Sequence, residues 1–207
     1  MGDFDARALN WRFVVPDEPE GLLLLPIADE RLPNSTAVRP GRPSLDAALR
    51  AGPYPAIVAP DVGSWSSFGG GDPVKLLTLL ASSVAPGGWL YAGLANPWYP
   101  HARRGRRSLG RRAALLALRA CGFEDFETYL AFPDERCPAY LVSTSGPAEL
   151  EYFLRSLFLP YAGAARGWRA RVRQRLLSSM RAAALLVPHG TRLRFAPALG
   201  IVARRSS

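Results

Sequence analysis

Three side chains able to do chemistry stand just after two apolar segments that have the composition of buried strands. Asp61 follows AIVAP, Asn96 follows WLYAGLA, and His101 comes shortly after Asn96 beside the aromatic cluster NPWYP. A carboxylate or an imidazole placed there can accept a proton from a substrate, and an amide can bind an amine. Aromatic surface for a ligand is supplied by Trp65, Trp98 and Tyr99.

The two apolar segments belong to one predicted strand-helix-strand unit. The first is a strand at Ala56–Ala59. Asp72 and Pro73 then serve as the N-cap and the first residue of a helix with the sequence VKLLTLLASSVA. One face of this helix is apolar and consists of Leu76, Leu77, Leu80 and Val84. Pro-Gly-Gly then turns the chain into the strand WLYAGLAN. In an open α/β sheet, ligands bind beyond the carboxyl ends of such strands. We therefore expect Asn96, Trp98 and Tyr99 to form the wall of a substrate pocket.

Each of these residues also has a structural interpretation. Asp61 can cap the turn after Pro60, His101 can be an ordinary loop residue, and GGG at 69–71 is typical of a loop because no Gly-Lys-Ser/Thr follows it. Cys121 and Cys137 form no CxxC motif, and the only histidines are His101 and His189. The sequence therefore predicts neither a metal site nor a disulfide framework.

The remaining elements are weaker on the N-terminal side and clearer after the unit. The pattern predicts strands at Trp11–Val15, Leu22–Ile27, Phe126–Phe132 and Leu199–Ala203, a short helix capped by Ser44, and a helix RRAALLALRAC closed by Gly122. Residues from Pro133 to about Thr191 are predicted to be mostly helical. In that region Trp168, Val172 and Leu186 belong to a stripe at helical spacing, and the aromatic residues Tyr152, Phe153 and Trp168 favour burial.

The formal charge of +9 comes from arginine, since Lys75 is the only lysine. Residues 103–119 hold seven arginines and no acid. The run 103–112 could bind an acidic peptide, a phosphate or nucleic acid, or it could be a solvated loop. A GC-rich coding sequence gives the same arginine bias, so nucleic-acid binding is not favoured.

The acidic start of the chain and its short apolar runs favour a cytoplasmic protein without a membrane segment.

A family resemblance rests on the succession IVAPDVGSW, LLTLLASSVAPGGWLYAGLAN, LRACGFEDFETYLAFP and PALGIVARR. It resembles the C-terminal half of a class I S-adenosylmethionine-dependent methyltransferase, over residues 54–133 and 197–205. The implied fold is α/β: a Rossmann-like, methyltransferase-type sheet with a truncated N-terminal half and a helical insert before the last strand. As one domain, residues 1–52 form a degenerate N-terminal part and 53–133 the core. Residues 134–196 form an insert or lid, and 197–207 the last strand and basic tail.

The resemblance also implies roles for particular residues. Asp61 and Trp65 occupy the place where the family's fourth strand opens to S-adenosylmethionine, which makes them candidate cofactor contacts, and Asp61 and His101 are candidate proton acceptors. ANPWYP resembles the Asn-Pro-Pro-aromatic motif of amino-methylating enzymes, with Trp98 in place of a proline and with a different strand before it. The family's glycine-rich cofactor loop is not recognisable, because residues 1–52 contain only scattered glycines.

Three functions stay open at this point. The first is a methyltransferase that tailors small molecules or peptides. The second is a methyltransferase-like protein that binds no cofactor and serves as a partner subunit, in a homodimer or with another protein, or that uses its pocket for other chemistry. The third is a basic nucleic-acid-binding protein. S-adenosylmethionine and no cofactor are equally supported, and whether the protein is an enzyme is left open.

Overall fold

The computed structural model describes residues 6–16, 21–23, 36–38, 42–98, 107–157, 168–193 and 196–207. The strands are β1 (Gly21–Leu23), β2 (Thr36–Ala37), β3 (Tyr54–Ala59), β4 (Val84–Ala95), β5 (Phe123–Phe132), β6 (Tyr140–Ser143) and β7 (Ala198–Arg205). The helices are an N-terminal 3-10 helix (Ala6–Phe13), α1 (Arg42–Ala51), α2 (Val62–Trp65), α3 (Pro73–Ser82), α4 (Arg111–Ala120), α5 (Pro147–Tyr152) with a π-helical turn (Phe153–Leu157), α6 (Trp168–Leu186) and α7 (His189–Arg192).

These strands form a single seven-stranded sheet in the order β2-β1-β3-β4-β7-β5-β6. β1, β2, β3 and β4 are parallel, β7 runs antiparallel between β4 and β5, and β6 pairs antiparallel with β5. β5 consequently points the same way as β4, so the carboxyl ends of β1, β3, β4 and β5 lie at one edge of the sheet. The predicted α/β, Rossmann-like sheet with an insert before the last strand is confirmed.

The core follows from the alternation of side chains along the strands. Ile57, Leu90 and Ile201 face the side covered by α1 to α4, where they pack with the buried leucines of α3. Val58 and Tyr91 face the other side, where Trp11 of the 3-10 helix covers them. A third cluster joins the insert to the ends of β5 and β7. The largest core therefore lies between the sheet and its helices.

The strand-helix-strand unit forms from the local signals in its sequence. The Asp72 side chain accepts a hydrogen bond from the Val74 amide at 2.9 Å, and Pro73 begins α3, as predicted. α3 ends at Ser82, however, and Pro-Gly-Gly lies inside β4. The pairing with β3 shifts there from Tyr54–Val84 to Ala56–Trp89, so the expected turn is instead an irregularity within the strand.

Two N-terminal predictions need correction. Trp11–Val15 is not a strand, because this segment belongs to the 3-10 helix and the turn after it. Trp11 is 1% exposed and packs against Tyr91, so the segment covers a sheet face instead of extending the sheet. α1 begins at Arg42, so Ser44 lies within it and does not cap it. The predicted strand Leu22–Ile27 is observed as β1 (Gly21–Leu23), and its last four residues lie outside the described ranges.

The insert is helical, as predicted, but it also contains β6, which the sequence did not reveal. Tyr140–Ser143 is short, and its residues are all half-buried, so it lacks the alternation that marks a longer strand. The predicted burial is confirmed for Phe153, which is 1% exposed, and is wrong for Tyr152 and Trp168, which are 63% and 67% exposed. Val172 and Leu186, on the same α6 stripe as Trp168, are also exposed. α6 packs on the insert's core through Ala184 and Leu185 instead. In the part of the chain that the structure describes, no helix has the length and apolarity needed to cross a membrane.

Candidate functional site

Asp61 lies at the carboxyl edge of the sheet, just after β3. Its Oδ1 accepts a hydrogen bond from the Ser64 amide at 2.9 Å and so caps α2, and its residue surface is 6% exposed. Its Oδ2 is 3.7 Å from Nε of Arg136. The cap function is therefore observed, while the second oxygen has an ion-pair neighbour beyond hydrogen-bond distance.

Arg136 belongs to the loop that follows β5, and sequence reasoning missed it. Its side chain is 44% exposed. The Asp134 carboxylate shapes this loop by accepting hydrogen bonds from the amides of Arg136 and Cys137, both at 3.0 Å. The signal that could have found it is the charged segment DER directly after a strand, at the same edge as Asp61.

Trp65 is part of the core beneath this edge. It is 3% exposed and packs edge-on against Phe68, with ring centroids 5.8 Å apart. The chain comes back over α2 at Gly63, where a Cβ would overlap the carbonyl oxygen of Arg107. Glycine is needed there because two backbone segments touch. Contact of Asp61 and Trp65 with a cofactor stays a prediction. Little of either residue is exposed to a ligand.

Asn96 follows β4 and joins the end of that strand to the segment before β7. Its Nδ2 donates to the Ala196 carbonyl oxygen at 2.7 Å, and its Oδ1 accepts from the Trp98 amide at 3.1 Å. Its own amide donates to the Pro197 carbonyl oxygen at 3.2 Å. Asn96 is 4% exposed, which is consistent with a residue that shapes a wall.

A cleft of about 820 Å³ opens beside Asn96, on the helical face of the sheet. We call it the arginine cleft. Its lining comes from α4, from Leu199 of β7 and from Leu193 at the end of the insert. The described residues that line it are Asn96, Trp98, Gly110, Arg111, Arg112, Leu115, Leu116, Arg119, Leu193 and Leu199. Its volume is in the range of small-molecule sites.

The structure brings together only some of the predicted site residues. Asn96 and Trp98 line the arginine cleft, and Asp61 and Trp65 are not among the described residues that line it. Tyr99 and His101 lie outside the described residues. The sequence did not predict Arg119 as a lining residue; its position seven residues after Arg112 on α4 was the available signal.

The structure also shows how the possible metal ligands and the two cysteines are arranged. Among the described residues, no group of His, Cys, Asp or Glu has the geometry to hold a metal ion. Neither Cys121 nor Cys137 forms a disulfide. Burial raises the pKa of Tyr91, and the nearby Glu135 charge raises it further. Tyr91 faces the 3-10 helix, on the side of the sheet away from the arginine cleft.

Comparison with known proteins identifies the fold. A S-adenosylmethionine-dependent methyltransferase from Thermotoga maritima, described as a possible histamine N-methyltransferase, superposes with a TM-score of 0.51 at 10% identity, covering 97% of this chain and 88% of that one. A S-adenosylmethionine-dependent methyltransferase from Archaeoglobus fulgidus gives a TM-score of 0.51 at 13% identity, covering 96% and 92%. No protein-family model and no curated protein matches the chain. The chain has a class I methyltransferase-like fold.

Proposed function

We propose that this protein is a methyltransferase that tailors small molecules or peptides, with S-adenosylmethionine at the carboxyl edge and its acceptor in the arginine cleft. The observation that carries the proposal is the placement of that cleft beside Asn96, where β4 ends next to β3. Neighbouring strands are about 4.8 Å apart, so the ends of β3 and β4 are close enough to serve one reaction.

The fit of the cofactor depends on its charge. S-adenosylmethionine carries a sulfonium and an amino group, and it supplies the methyl group that the acceptor takes. Asp61 offers a carboxylate whose Oδ2 has no hydrogen bond among the described residues, only the ion pair with Arg136. That oxygen would hold the cationic part of the cofactor, and the cap on α2 holds the carboxylate in place. Methyl transfer from a sulfonium needs mainly positioning.

Other residues would position the acceptor. Asn96 uses both ends of its amide to hold the chain around it, so it would shape the cleft without touching the reacting atoms. Trp98 is 67% exposed at the rim of the cleft and offers a surface on which a ring can stack. Proton acceptance by His101 and a wall contribution from Tyr99 remain predictions.

Calorimetric titration with S-adenosylmethionine and S-adenosylhomocysteine tests the proposal. We expect micromolar binding, weakened about tenfold by Asp61→Asn, since that change removes the charge and keeps a cap acceptor for the Ser64 amide. Asp72→Asn is the matched control, because Asp72 caps α3 in the same manner. No heat with either compound up to millimolar concentration would overturn the proposal.

A second function is favoured by a different observation. The glycines of residues 1–52 are scattered, and the Asp61 side chain is 8% exposed and paired with Arg136. Both features suit a methyltransferase-like protein that binds a ligand or partner without the cofactor. Absence of binding to both S-adenosylmethionine and S-adenosylhomocysteine, together with ligand binding in the arginine cleft, would favour this function over methyl transfer.

A further inference from the structure

The arginine cleft has a strongly one-sided charge. Three of its described lining residues are arginines, namely Arg111, Arg112 and Arg119. None of the described lining residues is an aspartate or a glutamate. In the described part of the chain, none of the three arginines has a carboxylate within 4.0 Å. Arg119 places its guanidinium 5.3 Å from the centre of the Phe126 ring, which orients it without neutralising it.

The spacing on α4 places two of these charges at the two ends of an apolar surface. Arg112 and Arg119 are seven residues apart, which corresponds to about 10.5 Å along a helix at 1.5 Å per residue. Leu115 and Leu116 lie between them on α4 and also line the cleft. An apolar body can therefore lie along α4 with a cationic group at either end.

The start of α4 adds to the positive charge at one end of the cleft. Gly110 is its N-cap, supplies no side-chain hydrogen bond, and lines the cleft together with Arg111 and Arg112. The first amides of a helix have no partner within the helix and carry partial positive charge. Leu193 and Leu199, which are not part of α4, also line the cleft.

We propose that the arginine cleft binds an amphipathic organic anion, with an acyl or aromatic body on the leucines and a carboxylate or phosphate at the arginines. That this anion is the methyl acceptor rests on the proposed function. That the cleft binds the anion does not, because the lining residues are present without the cofactor. Guanidinium groups bind carboxylate and phosphate oxygens in the same paired geometry, so the two head groups share this chemistry.

The test is calorimetric titration of the full chain, without S-adenosylmethionine, using decanoate, decyl phosphate and decyltrimethylammonium. We expect the two anions to bind and the cation not to bind, with affinity falling as salt rises. Stronger binding of decanoate would identify a carboxylate ligand, and stronger binding of decyl phosphate a phosphate ester. Equal binding by the cation, or no binding by either anion up to millimolar concentration, would overturn the inference.

Charge-reversal variants locate the binding. Arg112→Glu and Arg119→Glu should each weaken anion binding about tenfold, equivalent to about 1.4 kcal/mol. Arg171→Glu is the matched control, since Arg171 is exposed on α6 and is not among the lining residues. Arg112→Glu should fold normally because an acidic residue in the first turn of a helix is favourable. Unchanged affinity in both cleft variants would place the anion elsewhere and refute the inference, whatever the result with S-adenosylmethionine.

Discussion

Removing the Tyr91 hydroxyl should stabilise the protein. The side chain is fully buried in the sheet, and its oxygen has no hydrogen-bond partner among the described residues. Burying a hydroxyl without a partner costs about 1–3 kcal/mol by mutational comparison. Tyr91→Phe keeps the ring against Trp11 and removes that cost. We therefore expect the free energy of unfolding to rise by about 1–2 kcal/mol.

Tyr54→Phe is the matched control with the opposite sign. The Tyr54 hydroxyl donates to the Ala48 carbonyl oxygen at 2.7 Å, so its removal should cost about 1 kcal/mol. Urea unfolding followed by circular dichroism measures both variants. With a slope of about 2 kcal/mol per molar urea, Tyr91→Phe should raise the midpoint by about 0.5–1 M, and Tyr54→Phe should lower it by about 0.5 M.

The environment of the oxygen offers a second check. A Cβ added at Gly200 would lie 3.0 Å from the Tyr91 hydroxyl, so Gly200→Ala should be tolerated better in the Tyr91→Phe background than in the natural protein. A destabilised Tyr91→Phe protein with an unchanged urea slope would refute the reasoning, since it would mean that the hydroxyl is well bonded in the folded state.

Three other perturbations, one of pH and two at glycines, should change the stability of the fold. Burial first, and the Glu135 charge second, raise the pKa of Tyr91, so the folded state keeps a proton that the unfolded state loses above about pH 10. Stability should then fall by about 1.4 kcal/mol per pH unit above that point in alkaline urea titrations, and less steeply in Tyr91→Phe. Gly93→Ala should cost about 3 kcal/mol or more in thermal unfolding, because its Cβ would lie 2.6 Å from the Pro60 carbonyl carbon. Gly70→Ala, with φ of +88° and no atom within 4 Å, should cost only about 1–2 kcal/mol.

The parts of the fold that the sequence predicted are those encoded locally. Asp72 and Pro73 mark the start of α3 by capping and by a preset backbone angle, and both act within one turn. The buried runs that became β3 and β4 needed only their own apolar residues to be recognised. The acidic and amide residues after them could be placed at one edge because parallel strands end together.

The missed parts depend on contacts between distant residues. The pattern around Trp11 predicts a strand, whereas the structure has a 3-10 helix there, from which Trp11 packs against the Tyr91 ring of the sheet. The four residues of β6 take their conformation from pairing with β5. The arginine cleft likewise needs Leu193 to lie near α4, and the local signals at Arg119 and Arg136 do not show which distant residues become their neighbours.

Asn96 should control the mobility of the insert, because its hydrogen bond to the Ala196 carbonyl ties the end of the insert to the end of β4. Asn96→Ala removes that bond and the one to the Trp98 amide, a loss of about 2–3 kcal/mol if both groups stay dry. Hydrogen exchange measured by mass spectrometry should then rise in residues 168–193 and remain unchanged in residues 73–82 of α3. Asn96→Asp, which keeps the acceptor for Trp98 and loses the donor for Ala196, should reproduce the faster exchange of the insert. Equal acceleration in both regions would instead mean that Asn96 supports the whole sheet, and that the insert does not move as a separate unit.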